Sequence, residues 1–593
     1  MRIALRAMLT GALTLSLITL PATAAHAATV TVTSVPDLVA AVAAANPGDT
    51  VLLANGTYAN AGAFTLTNTK PNPSNLRITI GAANRGKAVF TGDTRITFLS
   101  SNYLTFRDFF FDEALNASGN VITVDGTSFT QITNNYFYHS GNTVSPFARV
   151  IHIHNRSKNN EINRNTFENP QGTPITVRDH PADLNVDDQN TNNWIHHNMF
   201  KNGKYTLDAY PGLTDNNGME AIQTGVGGGL PVEQFSLIEH NLFQNYTGDS
   251  AEIISNKSSK NTIRYNTFRN NQSGVTLRGG DDVRFDGNFL LGMPAGLRVF
   301  GMRHIITNNY FANGFSGIVM PTGVLPANQV SIDSKVVNNT FVNNTDTQLL
   351  IGSTGTTNDQ PQNTLVANNL IVANRGTAIR TGGTVETNTT YSRNILHLSG
   401  TAQAGTADAG ITLANPNLVV DGELSRPATG SVAVDFGQAV AGVSVTDDID
   451  GQARVGNPDA GCDEVSTAAL VRVPYKLSSS LVRVNWAVGD AWVISTDQHE
   501  PAAPANLRVT SVTQNSVTVA WDAATDNVGV TSYEVFTGSN SVTARDSLGT
   551  TSATSFTVNG LTPATGIRLS VRASDAARNV SFPSAVIIAT TAA

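Results

Sequence analysis

Asn134-Asn135-Tyr136-Phe137 is a short phrase that returns, with variations, at nine later points of this chain. The later copies are Arg164-Asn165-Thr166-Phe167, His197-Asn198-Met199-Phe200, His240-Asn241-Leu242-Phe243, Asn266-Thr267-Phe268, Gly287-Asn288-Phe289, Asn309-Tyr310-Phe311, Asn339-Thr340-Phe341, Asn369-Leu370-Ile371 and Asn394-Ile395-Leu396. We call the recurring asparagines, from Asn135 to Asn394, the ladder asparagines. They are separated by steps of 30, 33, 43, 25, 22, 21, 30, 30 and 25 residues.

Short β-branched runs such as Val121-Ile122-Thr123-Val124 lie between the copies, and no helical periodicity fills the steps. Three strands and three turns per step predict an all-β fold, a right-handed parallel β-helix in which each coil pairs with the next. Asparagine tolerates the left-handed backbone region at a turn. Stacked asparagine side chains can also bond to one another along the axis, while the following aromatic or aliphatic residue points inward. The alternative is a β-sandwich with Asn-rich turns, and ten copies in one register count against it.

The two ends of the chain add further units. Residues 1–27 have a positive start at Arg2 and Arg6, an apolar run to Leu20 and the cleavage pattern Ala25-His26-Ala27, which predicts a signal peptide and a secreted protein. Residues 36–45 read as a short amphipathic helix that caps the open end of the β-helix. No later stretch approaches a membrane span.

The repeats fade after about residue 400, and residues 501–593 are a different unit of alternating strands. With Trp521 as the core tryptophan and Leu561-Thr562-Pro563 before the late strands, this unit resembles a fibronectin type III module, although Ile567 replaces the usual corner tyrosine. We therefore expect a β-helix over 28–465, a linker over 466–500 and a small β-sandwich over 501–593. The sandwich would serve as a spacer or a weak carbohydrate contact.

Composition narrows the possible partners. The chain has 593 residues, 40% hydrophobic and 14% charged, which excludes a highly charged disordered protein. A net charge of −8 argues against nucleic-acid binding, and against any polyanionic partner unless cations cluster locally. The lone Cys462 excludes a disulfide framework and cysteine-rich metal sites.

Such a cluster is predicted on successive coils. Lys257, Arg278 and Arg298 lie 9, 10 and 11 residues before the next ladder asparagine, so with neighbouring strands about 4.8 Å apart they should share one face, allowing a residue or two of drift. Glu220 and Glu252 lie in similar phrases one coil apart and should also be close, with Asn217 nearby. Two readings remain open. The bases pair with the acids in salt bridges, or the cations hold a polyanion beside an acidic and amide cluster that holds a hard cation such as Ca²⁺.

The phrases Asn217-Gly218-Met219-Glu220-Ala221-Ile222, Glu252-Ile253-Ile254-Ser255-Asn256-Lys257-Ser258 and Gly274-Val275-Thr276-Leu277-Arg278-Gly279-Gly280-Asp281 resemble polysaccharide lyase family six. This family comprises alginate lyases and chondroitinase B, and the likeness covers about residues 28–465. It implies a β-helix that cleaves uronic-acid polymers by β-elimination, usually with Ca²⁺.

The resemblance also assigns roles to individual residues. Lys257 is then the base that removes the C5 proton, Arg278 the acid that serves the leaving oxygen, and Arg298 a substrate-binding arginine. Asn217, Glu220 and Glu252 would hold Ca²⁺.

Two positions depart from the family pattern. Ser250, beside Asp249, stands where a second glutamate is common, which weakens the metal assignment. Gly279 stands where histidine often follows the arginine, which puts sugar contacts there in doubt.

The expected function is a secreted lyase that acts on an anionic polysaccharide, most often alginate among similar sequences. The first alternative is a dermatan or chondroitin sulfate lyase. An alternative of another class is a non-catalytic glycan-binding β-helix, which would have no need of the Lys257–Arg278 pair. Asp281-Asp282, His196-His197, His152 and His154 are further candidates, for which a solvated turn or a structural role is the simpler reading.

Overall fold

A computed structural model describes residues 27–73, 75–178, 189–214, 217–226, 232–249, 252–323, 329–352, 360–382, 388–476, 501–526, 528–537, 546–576, 581 and 584–593. Most strands belong to three long parallel sheets of 14, 14 and 13 strands, which the chain visits in the same order in successive coils. We call them sheet 1, sheet 2 and sheet 3. The predicted parallel β-helix is therefore confirmed.

The bounds of the strands follow this order. Sheet 1 contains Thr29–Val32, Thr50–Leu53, Ile78–Ala82, Leu104–Arg107, Gln131–Thr133, Glu161–Asn163, Trp194–His196, Leu237–Glu239, Thr262–Arg264, Arg284–Asp286, Ile305–Thr307, Lys335–Val337, Leu365–Ala367 and Thr390–Ser392. Sheet 2 contains Gly56–Ala59, Ala88–Thr91, Phe110–Asp112, Tyr136–Tyr138, Thr166–Glu168, Met199–Lys201, Leu242–Gln244, Thr267–Arg269, Phe289–Leu291, Tyr310–Ala312, Thr340–Val342, Leu370–Ala373, Asn394–Leu398 and Ile411–Leu413. Sheet 3 contains Gly62–Leu66, Thr94–Leu99, Ile122–Asp125, Arg149–His154, Thr173–Val177, Ile222–Gly225, Glu252–Lys257, Gly274–Leu277, Leu297–Val299, Ser316–Met320, Thr347–Ile351, Thr377–Thr381 and Gln403–Gly405. Leu115–Asn116 and Gly141–Asn142 form a small parallel pair.

The ladder asparagines stack in one continuous line at the turn between sheets 1 and 2. In each step the Oδ1 of one asparagine accepts hydrogen bonds from the backbone N–H and the side-chain Nδ2 of the asparagine one coil earlier, as Asn165 does from Asn135 at 3.0 and 3.1 Å. The predicted axial bonding is confirmed. The prediction that the ladder asparagines themselves adopt the left-handed backbone is wrong. That backbone belongs to the residue before each of them, for example Asn134 with φ 55° and His197 with φ 52°.

Apolar side chains fill the inside of the coils. The residue two positions after each of the first five ladder asparagines is a phenylalanine, and Phe137, Phe167, Phe200, Phe243 and Phe268 stack with ring centroids 4.6–5.1 Å apart. At the N-terminal end a helix over Val35–Ala44 places Leu38 and Val42 against this core. A second, short helix covers Thr206–Ala209.

After the last coil the chain leaves the three parallel sheets. An antiparallel hairpin pairs Leu418–Asp421 with Leu424–Pro427, and residues 428–476 follow without further strands. The sandwich then has one sheet of Ala505–Val512, Ser516–Asp522 and Ser555–Asn559 and another of Val530–Thr537, Asp546–Thr551, Gly566–Asp575 and Ile587–Thr590. Trp521 lies in its core, and Ile567 packs against that core. The predicted sandwich is confirmed.

Some predictions concern residues that the structure does not describe. Except for Ala27, the signal peptide lies outside the described residues, and so does the linker beyond residue 476. Among the helices of the described ranges, none has the length and apolar character needed to cross a bilayer.

Candidate active site

Strand register places Lys257 beside Arg278 on the outer surface of sheet 3. Asn256 pairs with Leu277 one coil later, so the residues that follow these two are neighbours. Ile254 and Leu277 point into the core, while Lys257 and Arg278 point outward with side chains 11% and 34% exposed. The predicted adjacency of the two cations is therefore what the structure has.

Arg298 occupies a different row of the same surface. Its Cα partner in the previous coil is Thr276, two residues before Arg278, so Phe300 rather than Arg298 continues the Lys257–Arg278 row. The Arg298 guanidinium lies over the Phe300 ring at 5.6 Å and donates from Nε to Thr276 Oγ1 at 3.3 Å. The three cations share a face, with the drift of two residues that the spacing allowed.

Three carboxylates lie under these cations. Ile222 pairs with Ile254, which puts Glu220 opposite Glu252 on adjacent coils, as the phrases predicted. Asp249 joins them, and one carboxylate oxygen from each of the three lies within 4.8 Å of the others. All three residues are buried, and Glu252 is 0% exposed. Sequence reasoning noted Asp249 only as a neighbour of Ser250. Asp249 lies three residues before Glu252 and outside the repeated phrases, so the repeat carried no signal for it.

The cations and carboxylates are paired in this structure. Lys257 Nζ lies 3.6 Å from Glu220 Oε1, while Arg278 Nη1 and Arg298 Nη2 reach Glu252 Oε1 at 3.2 and 2.9 Å. The salt-bridge reading is thus what the structure has. It does not exclude the other reading, because both arginines keep about a third of their side-chain surface open to solvent.

The carboxylates also fit a hard cation. Glu252 Oε2 is buried and has no hydrogen-bond partner among the described residues, and an uncompensated buried carboxylate oxygen is costly. The donor set is all oxygen, which suits Ca²⁺ rather than zinc. Asn217 is exposed, three residues before Glu220. Its assignment as a ligand stays a prediction, as do those of Glu220 and Glu252.

Of the two positions that depart from the family pattern, the structure describes only Gly279. Ser250 lies outside the described residues. At Gly279 an added Cβ would meet nothing nearer than the Cα of Lys257, at 4.0 Å, so glycine leaves open space next to Lys257. A histidine would occupy that space.

Among the other candidates, Asp281, Asp282 and His152 have bonded partners within the fold. Arg303 bridges Asp281 and Asp282, at 3.3 and 2.8 Å. His152 bonds Thr176 Oγ1 through Nδ1 at 2.7 Å and stacks on His154. Burial, together with nearby Arg149, lowers the pKa of His152 to about 2, so this imidazole is neutral at any ordinary pH.

A second group of carboxylates was not anticipated. Asp448, Asp450 and Asp463 are buried together in the segment after the last coil. Arg426 pairs with Asp450 and Asp463, and Asp448 accepts backbone N–H groups from Asp450, Gln452 and Glu464. Protein donors therefore face both oxygens of Asp448 and Asp450 and Oδ1 of Asp463, and these contacts hold the C-terminal segment together.

Comparisons with known proteins agree with this architecture. A family model described as Chondroitinase B matches residues 32–418, and one described as Fibronectin type III domain matches residues 502–590. A mannuronic acid specific polysaccharide family 6 lyase from human gut microbiota has 24% sequence identity and a TM-score of 0.54, covering 63% of this chain and 86% of that chain. The PL6 family alginate lyase AlyGC has 24% identity and a TM-score of 0.57, covering 67% of this chain and 55% of that chain. At these identities the likeness establishes the fold.

Curated relatives match a stretch of about the module's length. Chitinase A1 of Niallia circulans is 46% identical over 97 residues, 16% of this chain. This chain spans only 13% of that relative's length, so the likeness does not extend to the whole enzyme.

Proposed function

The chain belongs to the chondroitinase B family of polysaccharide lyases, and from that premise we propose that it cleaves alginate by β-elimination after export from the cell. The observation that carries the proposal is the placement of Lys257 and Arg278 side by side on an open sheet surface, with buried carboxylates beneath them. A protein that only binds glycans needs cations on its surface, but it does not need a lysine and an arginine at adjacent positions of neighbouring coils, as Lys257 and Arg278 are here.

In the proposed reaction the uronate lies across sheet 3. Lys257 Nζ accepts the proton from C5, the C5–H electrons form the C4–C5 double bond, and the C4–O bond breaks. Arg278 donates a proton to the departing oxygen and regains one from solvent, to which Lys257 releases the C5 proton. Because the C5 proton is acidic only when the adjacent carboxylate is neutralised, the Arg298 guanidinium is assigned to that carboxylate.

Glu220 and Glu252 hold the basic side chains of the site in position. Each carboxylate is almost fully buried, so it fixes the side chain that it pairs with and keeps Lys257 and the two arginines on one surface. Glu220, Asp249 and Glu252, with Asn217, are the residues that would hold Ca²⁺. The bound ion would supply positive charge beside the substrate carboxylate.

A substrate comparison tests the function. We expect alginate to give a steady rise in ultraviolet absorbance from the conjugated double bond that elimination leaves, and dermatan sulfate to give none. A rise with dermatan or chondroitin sulfate alone would replace alginate by the first alternative. Absence of a rise with every uronate polymer, together with retained polymer binding, would support the glycan-binding alternative.

Calcium binding is tested by thermal unfolding of the chelator-treated chain. With Ca²⁺ at about 100 times its dissociation constant, we expect a stabilisation of about 2.7 kcal/mol. Glu252→Gln should abolish this increment. Asp346→Asn is the matched control. It breaks the pair of Asp346 with Arg380, at 3.0 Å, which is also on sheet 3 but away from the three clustered carboxylates. An equal response of Glu252→Gln and the wild type would reject the site.

A further inference from the structure

The C-terminal sandwich has a buried face that is not part of its own core. In the strand Val530–Thr537, Tyr533 and Val535 belong to the core cluster of the sandwich, whereas Phe536 is 0% exposed and lies outside that cluster. Its neighbour across the sheet is Ser570, and Glu534 faces Arg572. Arg572 is only 5% exposed. Outward side chains of a two-layer sandwich are normally solvated, so something outside the sandwich covers this face.

The β-helix has a matching face on sheet 1. Trp194, Glu239 and Arg264 are 1–3% exposed, although they point away from the interior, which is filled on these strands by Ile195, Ile238 and Ile263. Glu239 accepts hydrogen bonds from Trp194 Nε1 at 3.0 Å and from Arg264 Nε at 2.6 Å. A charged pair on the outside of a sheet is buried to this degree only beneath another part of the protein.

The two faces meet at Arg572. Its Nη1 lies 3.6 Å from Glu239 Oε1 of the β-helix, and its Nη2 donates to Glu534 Oε2 of the sandwich at 2.9 Å. The guanidinium also lies 5.2 Å from the Trp194 ring centroid and 4.7 Å from that of Phe536. Arg572 therefore contacts one carboxylate and one ring on each side.

The charges at this contact balance. Two arginines, Arg264 and Arg572, alternate with two glutamates, Glu239 and Glu534. Burial raises the pKa of Glu239, but Arg264 and Arg572 outweigh it and hold that pKa well below its usual range, so the carboxylate stays ionised. An ionised group beneath the sandwich depends on its partners remaining in place.

We propose that the fibronectin type III module is a fixed part of the enzyme body, docked on sheet 1 through Phe536 and Arg572 and shielding Trp194 and Glu239. This role differs from the spacer or weak carbohydrate contact expected from sequence, because the face of the module that carries Phe536 and Arg572 is covered by the β-helix. The catalytic candidates lie on sheet 3, so the docked module leaves their surface open. The proposal does not depend on the substrate of that surface.

Hydroxyl-radical footprinting of the full chain, read by mass spectrometry, tests the docking. In the wild type we expect Trp194 to be oxidised as slowly as Trp521, which lies in the sandwich core. In the double variant Phe536→Ala/Arg572→Ala, Trp194 oxidation should rise several-fold while Trp521 stays protected. Arg568→Ala is the matched control, because Arg568 is exposed on the same strand, and it should change neither rate.

Persistent protection of Trp194 in the double variant, or rapid Trp194 oxidation in the wild type, would overturn the proposal. Should Trp521 also become reactive, the double variant has unfolded the module, and the reciprocal variant decides. Trp194→Ala removes an outward side chain of the β-helix and is read at Phe536. Loss of Phe536 protection supports docking, and unchanged protection overturns it.

Discussion

Replacing Lys257 by alanine is expected to lower the turnover of a uronate polymer by a factor of about 10²–10⁴, the usual contribution of a positioned general base. Lys257 lies in the same row as Arg278, the proposed acid, and only 11% of its side chain is exposed. The initial rate of unsaturated product formation measures the effect. Polymer binding, followed by affinity electrophoresis, should remain close to that of the wild type, since Arg278 and Arg298 are still present.

A structural role of Lys257 must be separated from a catalytic one, because its removal leaves buried Glu220 without this cation. Lys257→Arg is the informative second variant. Arginine keeps the positive charge near Glu220, but it stays protonated and cannot accept the C5 proton. We expect Lys257→Arg to be as inactive as Lys257→Ala and to unfold close to the wild-type temperature. Lys260→Ala, which removes a lysine paired with Glu233 at 2.6 Å on a nearby turn, should retain full activity. Wild-type turnover in Lys257→Arg would remove Lys257 as the base.

Asn266→Ala is expected to destabilise the protein by about 3–5 kcal/mol. Asn266 is 0% exposed, and its Oδ1 accepts from the N–H and Nδ2 of Asn241, both at 3.0 Å. Its Nδ2 shares two hydrogens among the carbonyls of Ile238 and Arg264 and Asn288 Oδ1, at 2.9–3.0 Å. Alanine leaves these groups unpaired in a place that water does not reach.

Urea unfolding, followed by circular dichroism, measures this loss. Asn102→Ala is the matched control, since Asn102 is exposed and accepts one hydrogen bond, from the Ser128 N–H. The control should lose less than about 1 kcal/mol. Equal effects of the two changes would mean that the ladder does not contribute to stability in the way its hydrogen bonds indicate.

The repeat predicted the coil because its determinants are local. An asparagine that bonds to its counterpart one coil away, followed by an inward aromatic residue, needs only the period to be recognised. The same period placed Lys257 beside Arg278, and Glu220 beside Glu252, without a structure. It could not assign Arg298 to its own row, because turn lengths vary between coils and the offset of two residues depends on how each turn is closed.

The candidate metal site shows more clearly what the sequence pattern cannot predict. Asp249 comes before the strand Glu252–Lys257, outside the phrases that repeat, so only the structure shows that its carboxylate joins those of Glu220 and Glu252. The pairing of both arginines with one oxygen of Glu252 is likewise a matter of side-chain direction.

The sequence by itself determined the β-helix and the adjacency of Lys257 and Arg278, because both rest on spacings between adjacent repeats. It also determined the sandwich, through its alternating strands and Trp521. Only the tertiary structure decided where the sandwich lies. Its contact joins Arg572 to Glu239 and Trp194, residues more than 300 positions away that share no period with it. Complementary charge and mutual burial stabilise such a contact, and neither can be predicted from residue spacing in the sequence.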